Sequence, residues 1–308
     1  MPNMSWFFFA LIAPLAHAAV NHLDKHLVSR YLKGGQVGSL VLFSALFAVV
    51  ALPFIGWFHP ESFAVGGRDV ALLMLNGAML VLAYICYFYA LEKDEASFVA
   101  PMFQMIPVFG FVLGYAFLGE LITAAQMVAS ALVVLGAVVL SLELGGGKPK
   151  VKRDVLWLMF CSSLLYAANG VLFKFVAETQ QAFWPSLFWD FAGKVVFGLV
   201  IFACVASYRR QFIAVLRQNK TTVLALNGAN EVLALVGESA AAFAVLLAPV
   251  ALVQVVGGFQ PVFVFIYGVL LTLFFPSFGQ ESLARRHLIQ KIAGIGIIVL
   301  GTVLLSLP

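Results

Sequence analysis

The chain is a succession of apolar runs, each close to the length that crosses a bilayer. A membrane-spanning helix needs about 20 consecutive, mostly apolar residues. Ten such runs occur, at 5–27, 37–58, 70–91, 96–117, 122–142, 155–177, 183–206, 222–246, 248–274 and 288–307. Hydrophobic residues make up 63% of the 308 and charged residues only 10%, against roughly 25% charged in soluble domains, so a water-soluble fold is excluded. A membrane β-barrel would show segments of alternating polarity about ten residues long, and stretches such as 128–140 show no alternation. The sequence therefore predicts an all-α integral membrane protein with ten transmembrane helices.

Charge placement orients these helices. Of the 18 Lys and Arg residues, 14 lie in the loops after four runs: the first (Lys25, Arg30, Lys33), fifth (Lys148, Lys150, Lys152, Arg153), seventh (Arg209, Arg210, Arg217, Lys220) and ninth (Arg285, Arg286, Lys291). Lys93, after the third run, falls on the same side. The positive-inside rule makes that side cytoplasmic, so both termini are expected to be periplasmic in a bacterial inner membrane, or extracellular where there is a single membrane. The net charge of +4 thus reports topology and gives no reason to expect a nucleic-acid partner. Ala16-His17-Ala18 imitates a signal-peptidase site, but no basic segment precedes it, and the first run is expected to be retained. Cys86, Cys161 and Cys204 have no metal-ligand spacing. The sequence offers no phosphate-binding loop, zinc motif or nucleophile elbow, so neither ATP-driven pumping nor hydrolytic enzyme chemistry has residues to carry it.

The chain also repeats itself. Leu75-Asn76-Gly77-Ala78 with Val81-Leu82-Ala83 recurs 151 residues later as Leu226-Asn227-Gly228-Ala229 with Val232-Leu233-Ala234. Pro107-Val108-Phe109 recurs as Pro261-Val262-Phe263, and Val134-Leu135-Gly136 as Val299-Leu300-Gly301. Two five-helix halves follow, 1–144 and 154–308, joined by a basic Gly/Pro linker at 145–153. An odd number of spans per half inverts the second relative to the first. Inverted repeats of this kind build many secondary transporters, with substrate held near the midplane between the halves. A duplicated scaffold without transport is the alternative.

Two five-helix halves, a proline-containing fourth span, the Leu118-Gly119-Glu120 break before the fifth and the Val-Leu-Gly ending resemble the EamA-like branch of the drug/metabolite transporter superfamily. The resemblance covers nearly the whole chain. It implies a cofactor-free carrier working by alternating access, and it matches a lysine late in the first helix of each half to Lys25 and Lys174. The second half lacks the Leu-Gly-Glu triplet after Pro261, and the charge bias reverses the cytoplasmic termini of many relatives.

Ionisable side chains are costly at the bilayer centre and usually face a cavity. Asn227, Asn230, Glu231 and Glu238 stand at i, i+3, i+4 and i+11 of the eighth run, on one helical face. This makes them candidate substrate ligands, with the two glutamates as proton carriers; protonated groups locking helices together are the alternative. Asp190 and Lys194 are spaced to pair along the seventh helix, either structurally or at a substrate site. Trp189, beside them, offers an aromatic face to a cation. His17, Asn21 and Asp24 share a face of the first helix, with Lys25 adjacent. Asn76, Tyr84 and Tyr87 of the third run, Gln104 of the fourth, and Gln254 and Gln260 of the ninth are further candidates for the cavity wall, or polar glue between helices. Pro107 and Pro261 are candidate symmetric hinges. Three functions remain: a proton-coupled exporter, leaning to cationic or zwitterionic solutes such as amino acids or amines; a facilitative carrier or importer; and a non-transporting scaffold. The expected partners are a small-molecule substrate and the lipid bilayer, with a homodimer compatible with the sequence.

Overall fold

A computed structural model describes residues 5–30, 37–93, 99–141, 153–218, 221–274 and 285–306. Among them are eleven helices and no strands. Six are long and apolar enough to cross a membrane: α1 (Ser5–Arg30), α2 (Val37–Phe58), α3 (Gly67–Lys93), α6 (Arg153–Gln180), α7 (Phe183–Cys204) and α10 (Val250–Phe274). Three apolar segments are shorter, forming α4 (Met102–Leu118) and parts of α5 (Ala124–Ser141) and α11 (Arg285–Ser306). Thr222–Ala244 forms α9, which is long enough at 23 residues but carries the four polar side chains of the eighth run. Large apolar side chains such as Trp57, Phe54 and Phe274 stand outward and exposed, the surface expected of a chain solvated by lipid.

One helix was not among the ten expected spans. The seventh run, expected to reach residue 206, stops at Cys204, and a separate helix, α8 (Ala206–Gln218), follows. Its apolar Tyr208, Phe212, Val215 and Leu216 share one face. That face packs on Leu27 of α1, Phe43 of α2 and Leu226 of α9, while Tyr208 donates to the Tyr89 hydroxyl of α3 at 2.8 Å. The Arg209 guanidinium donates to the carbonyls of Phe202 and Ala203 at the end of α7, where cations satisfy the last helical carbonyls. The linker expected at 145–153 lies outside the described residues up to 152, and Arg153 already belongs to α6.

Two helices are discontinuous. In α4, an opening 3₁₀ segment, Ala100–Met105, gives way to an α-helix, Ile106–Leu113, with Pro107 in its first turn. A π-turn, Gly114–Leu118, follows, and the helix stops at Gly119 with φ +65°, a left-handed conformation that favours glycine. In α10, the α-helix Val250–Val256 passes through the 3₁₀ turn Gly257–Phe259 into Gln260–Phe274. Pro107 and Pro261 each occupy the second position of the α-helix that follows a 3₁₀ segment, where a missing N–H costs least.

The two halves of the chain interlock. Helix α1 packs on α9 and α10, while α6 packs chiefly on α3 and α4; α5 packs on α11, α4 on α10, and α3 on α7. Small residues bring the closest pairs together. A Cβ added to Gly77 would lie 2.0 Å from the Asp190 carbonyl oxygen, and one on Gly193 would lie 2.2 Å from that of Met74, so α3 and α7 touch backbone to backbone. Gly136 and Gly301 do the same between α5 and α11. This is how membrane helices gain van der Waals contact without a hydrophobic driving force.

Candidate functional site

The close α3–α7 contact positions the first part of a polar network. Because Gly77 and Gly193 let the helices meet, Asn76 Nδ2 reaches Asp190 Oδ1 at 2.8 Å, and Asn169 Nδ2 of α6 donates to the Asn76 carbonyl at 3.1 Å. Asn76, Asp190 and Lys194 are all buried, Lys194 at 1% exposure. The Lys194 ammonium does not turn back to Asp190, one turn away. It crosses to α9 and meets Glu238 Oε2 at 2.6 Å, leaving Asn76 to hold Asp190. The pair expected along the seventh helix is thereby replaced by two bonds between helices.

Glu238 is the junction of the network. Its other oxygen accepts the Tyr84 hydroxyl of α3. Tyr84 in turn meets the ring of Tyr166 on α6, edge on, with centroids 5.9 Å apart. Two turns nearer the start of α9, Glu231 Oε1 accepts Ser44 Oγ of α2 at 2.9 Å, and Asn230 Nδ2 donates to Asp24 Oδ1 of α1 at 2.8 Å. His17 of α1 packs beside Gly237, one residue before Glu238. Helices from both halves thus converge on one chamber. Asp24, Tyr84, Tyr87 and Tyr166 retain accessible surface although they lie between helices, so they border space inside the bundle. Two buried acceptors in the network, Asn76 Oδ1 and Asn230 Oδ1, have no hydrogen-bond donor.

The other sequence candidates fall elsewhere. The Trp189 indole donates to the Ser62 carbonyl at 2.7 Å, fixing the α2–α3 connection. Lys174 lies on α6 away from the network, with its ammonium 2.7 Å from Glu120 Oε1 and 2.9 Å from the Ala248 carbonyl. Gln254 Nε2 reaches the Ala167 carbonyl at 3.5 Å and its amide oxygen abuts Gly110, joining α10 to α4 and α6. Gln104 and Gln260 are half-buried on α4 and α10, and Asn21 is half-buried on α1 between His17 and Asp24. Asn227 is 2% exposed. The Lys25 side chain lies outside the described residues. No cluster of His, Cys, Asp or Glu able to hold a metal occurs among the described residues.

Ser44, Tyr166 and Asn169 were not singled out from the sequence. Tyr166 and Asn169 stand at i, i+3 on α6, a polar face inside an apolar run, and that spacing was the available signal.

Residues 4–142 match the model of the EamA-like transporter family. An uncharacterized protein of Methanocaldococcus jannaschii is 30% identical over 70 residues, covering 23% of this chain and 51% of that protein; the match spans about half of that relative's length. An uncharacterized transporter encoded in the cobO 3′ region of Sinorhizobium sp is 26% identical over 141 residues, covering 45% of this chain and 98% of that protein. A solved crystal structure superposes with a TM-score of 0.65 over 98% of this chain and 97% of its own at 14% identity, a likeness of fold alone.

Proposed function

Taking its premise from residues 4–142, which belong to the EamA-like transporter family, we propose that this protein is a secondary transporter working by alternating access. In this reading, ten of its eleven helices span the bilayer as two inverted five-helix repeats. The exchange of partners supports it: α1 packs on α9 and α10, and α6, its counterpart in the second half, on α3 and α4. The broken helices α4 and α10 also occupy equivalent places in the two halves, where transporters of this build bind their cargo. The loop charges place both termini outside the cytoplasm.

The observation that carries a substrate preference is the excess of acceptors in the chamber. Asp24, Asp190, Glu231 and Glu238, with the two orphan amide oxygens, face the single ammonium of Lys194 and the imidazole of His17. A donor-bearing cation or zwitterion completes that set, and a proton bound at Glu231 or Glu238 is its natural exchange partner. The test is counterflow in proteoliposomes across amines and amino acids, with and without an imposed pH gradient. Wild-type protein should exchange a cationic or zwitterionic solute, and Glu231→Gln or Glu238→Gln should slow its pH-driven uptake about tenfold or more, the worth of one charge-assisted hydrogen bond of ~1.5 kcal/mol. Unchanged pH dependence in both variants removes the proton from the mechanism; counterflow of no solute removes transport itself.

A further inference from the structure

Five aromatic side chains form a closed circuit along one wall of the chamber. Tyr84, Tyr87 and Phe88 stand at i, i+3 and i+4 on α3 and so share a face; Phe103 comes from α4 and Tyr166 from α6. Ring centroids lie 5.9 Å apart from Tyr84 to Tyr166 and 5.8 Å from Tyr166 to Phe103. They are 5.0 Å apart from Phe103 to Tyr87, 5.2 Å from Tyr87 to Phe88, and 6.5 Å from Phe88 back to Tyr84. Each of the five keeps accessible surface, so the circuit borders open space. A regular five-sided circuit of that edge length has its centre about 5 Å from every ring, inside the roughly 6 Å over which an aromatic face attracts a cation.

Negative charge stands beside the rings. Glu238 accepts the Tyr84 hydroxyl, and Tyr87 lies within electrostatic reach of Asp24. The protein's own ammonium already samples this chemistry: Lys194 Nζ is 2.6 Å from Glu238 and sits 5.7 Å from the Tyr84 centroid and 5.5 Å from that of Phe191.

Building on the transporter reading above, we propose that this circuit seats the alkylated head of an organic ammonium ion, with Glu238 and Asp24 as its counter-charges. Carboxylates alone would suit a bare, hydrated ammonium. Rings add most for a cation whose charge is spread over methyl or larger groups, since such a head is weakly hydrated and presents an apolar surface to the π-faces.

The experiment is calorimetric titration of the purified full-length protein with three probes: choline, the primary amine ethanolamine, and 3,3-dimethylbutan-1-ol, the uncharged carbon isostere of choline. Choline should bind about tenfold more tightly than either, Tyr166→Phe should keep that preference, and Tyr166→Leu should abolish it. Phe103→Leu, on a different helix, should reproduce the loss, which separates it from a folding defect of one variant. Equal binding of the isostere would reduce the circuit to an apolar wall. Equal binding of ethanolamine would leave the carboxylates alone responsible. A preference surviving both leucine variants would likewise overturn the proposal. Should none of the probes bind while another solute shows counterflow, this inference fails and the transporter reading stands.

Discussion

At Lys174 one ammonium serves three oxygens: Glu120 Oε1 at 2.7 Å, the Ala248 carbonyl at 2.9 Å and the exposed Glu178 at 3.6 Å. The first contact is close but off the hydrogen-bond direction, since Glu120 Oε1 has no hydrogen-bond partner, so charge attraction holds it. The other oxygen of Glu120 accepts the Val250 N–H at 2.8 Å. Together these contacts clamp the α4–α5 corner to α6 and to the start of α10. With both side chains about nine-tenths buried, removing one leaves a charge uncompensated, which costs about 3–5 kcal/mol. Lys174→Met should therefore lower the melting temperature of the purified protein markedly, and adding Glu120→Gln should restore part of the loss; additive losses would mean that the two charges do not interact. Glu120 was legible in the sequence only as part of a helix break, because its partners arrive from residues more than 50 positions away. The glutamates of α9 were legible because a carboxylate in an apolar run stands out. Tyr166 was not, since a tyrosine there is compatible with lipid, interface or core.

Helix contacts depend on positions where a side chain is missing. At Gly77, the atom that a Cβ would strike is backbone, the Asp190 carbonyl oxygen, and the Lys194 amide nitrogen is next at 2.6 Å. Backbone cannot rotate away, so α3 must move off α7, and overpacking of this kind costs typically ~1–3 kcal/mol. The separation also pulls Asn76 from Asp190. Gly77→Ala should thus both destabilise the protein and weaken solute binding, while Gly66→Ala, with nothing within 4 Å of the added atom, should change neither. A Gly77→Ala protein melting with wild type would show that the helices have room to spare. The repeated Leu-Asn-Gly-Ala motif marked Gly77 in the sequence without saying which helix it meets. Helix α8 carried a stronger signal, with Tyr208, Phe212, Val215 and Leu216 at i, i+4, i+7 and i+8. It escaped notice because thirteen residues with three arginines read as a basic loop.

Across the molecule, the repeat was legible as an offset between the halves, but its interlocking was not. In a soluble protein, an apolar stripe tells which helix face is buried. Here lipid and protein interior are both apolar, so the pattern carries little of that information, and polar or glycine positions alone point inward. The consequence is that neither half has a core of its own. Among the described residues, α1 makes its extensive contacts only with α9 and α10, and α11 packs on α5. The first half without the second would leave α1 and α5 with bare faces, and the second without the first would strip α6 and α11. The fragments 1–144 and 145–308 should accordingly be degraded or aggregated when produced singly. Produced together, they should co-purify as one species with the protease resistance of the intact chain. Two independently folded halves meeting at a flat interface would behave otherwise, each eluting as a monodisperse, protease-resistant species alone. Size-exclusion chromatography with limited proteolysis distinguishes the two arrangements. Interlocked halves also tie the chamber to both: Glu238 of the second half meets Tyr84 of the first, so any opening of one half against the other must pass through that bond.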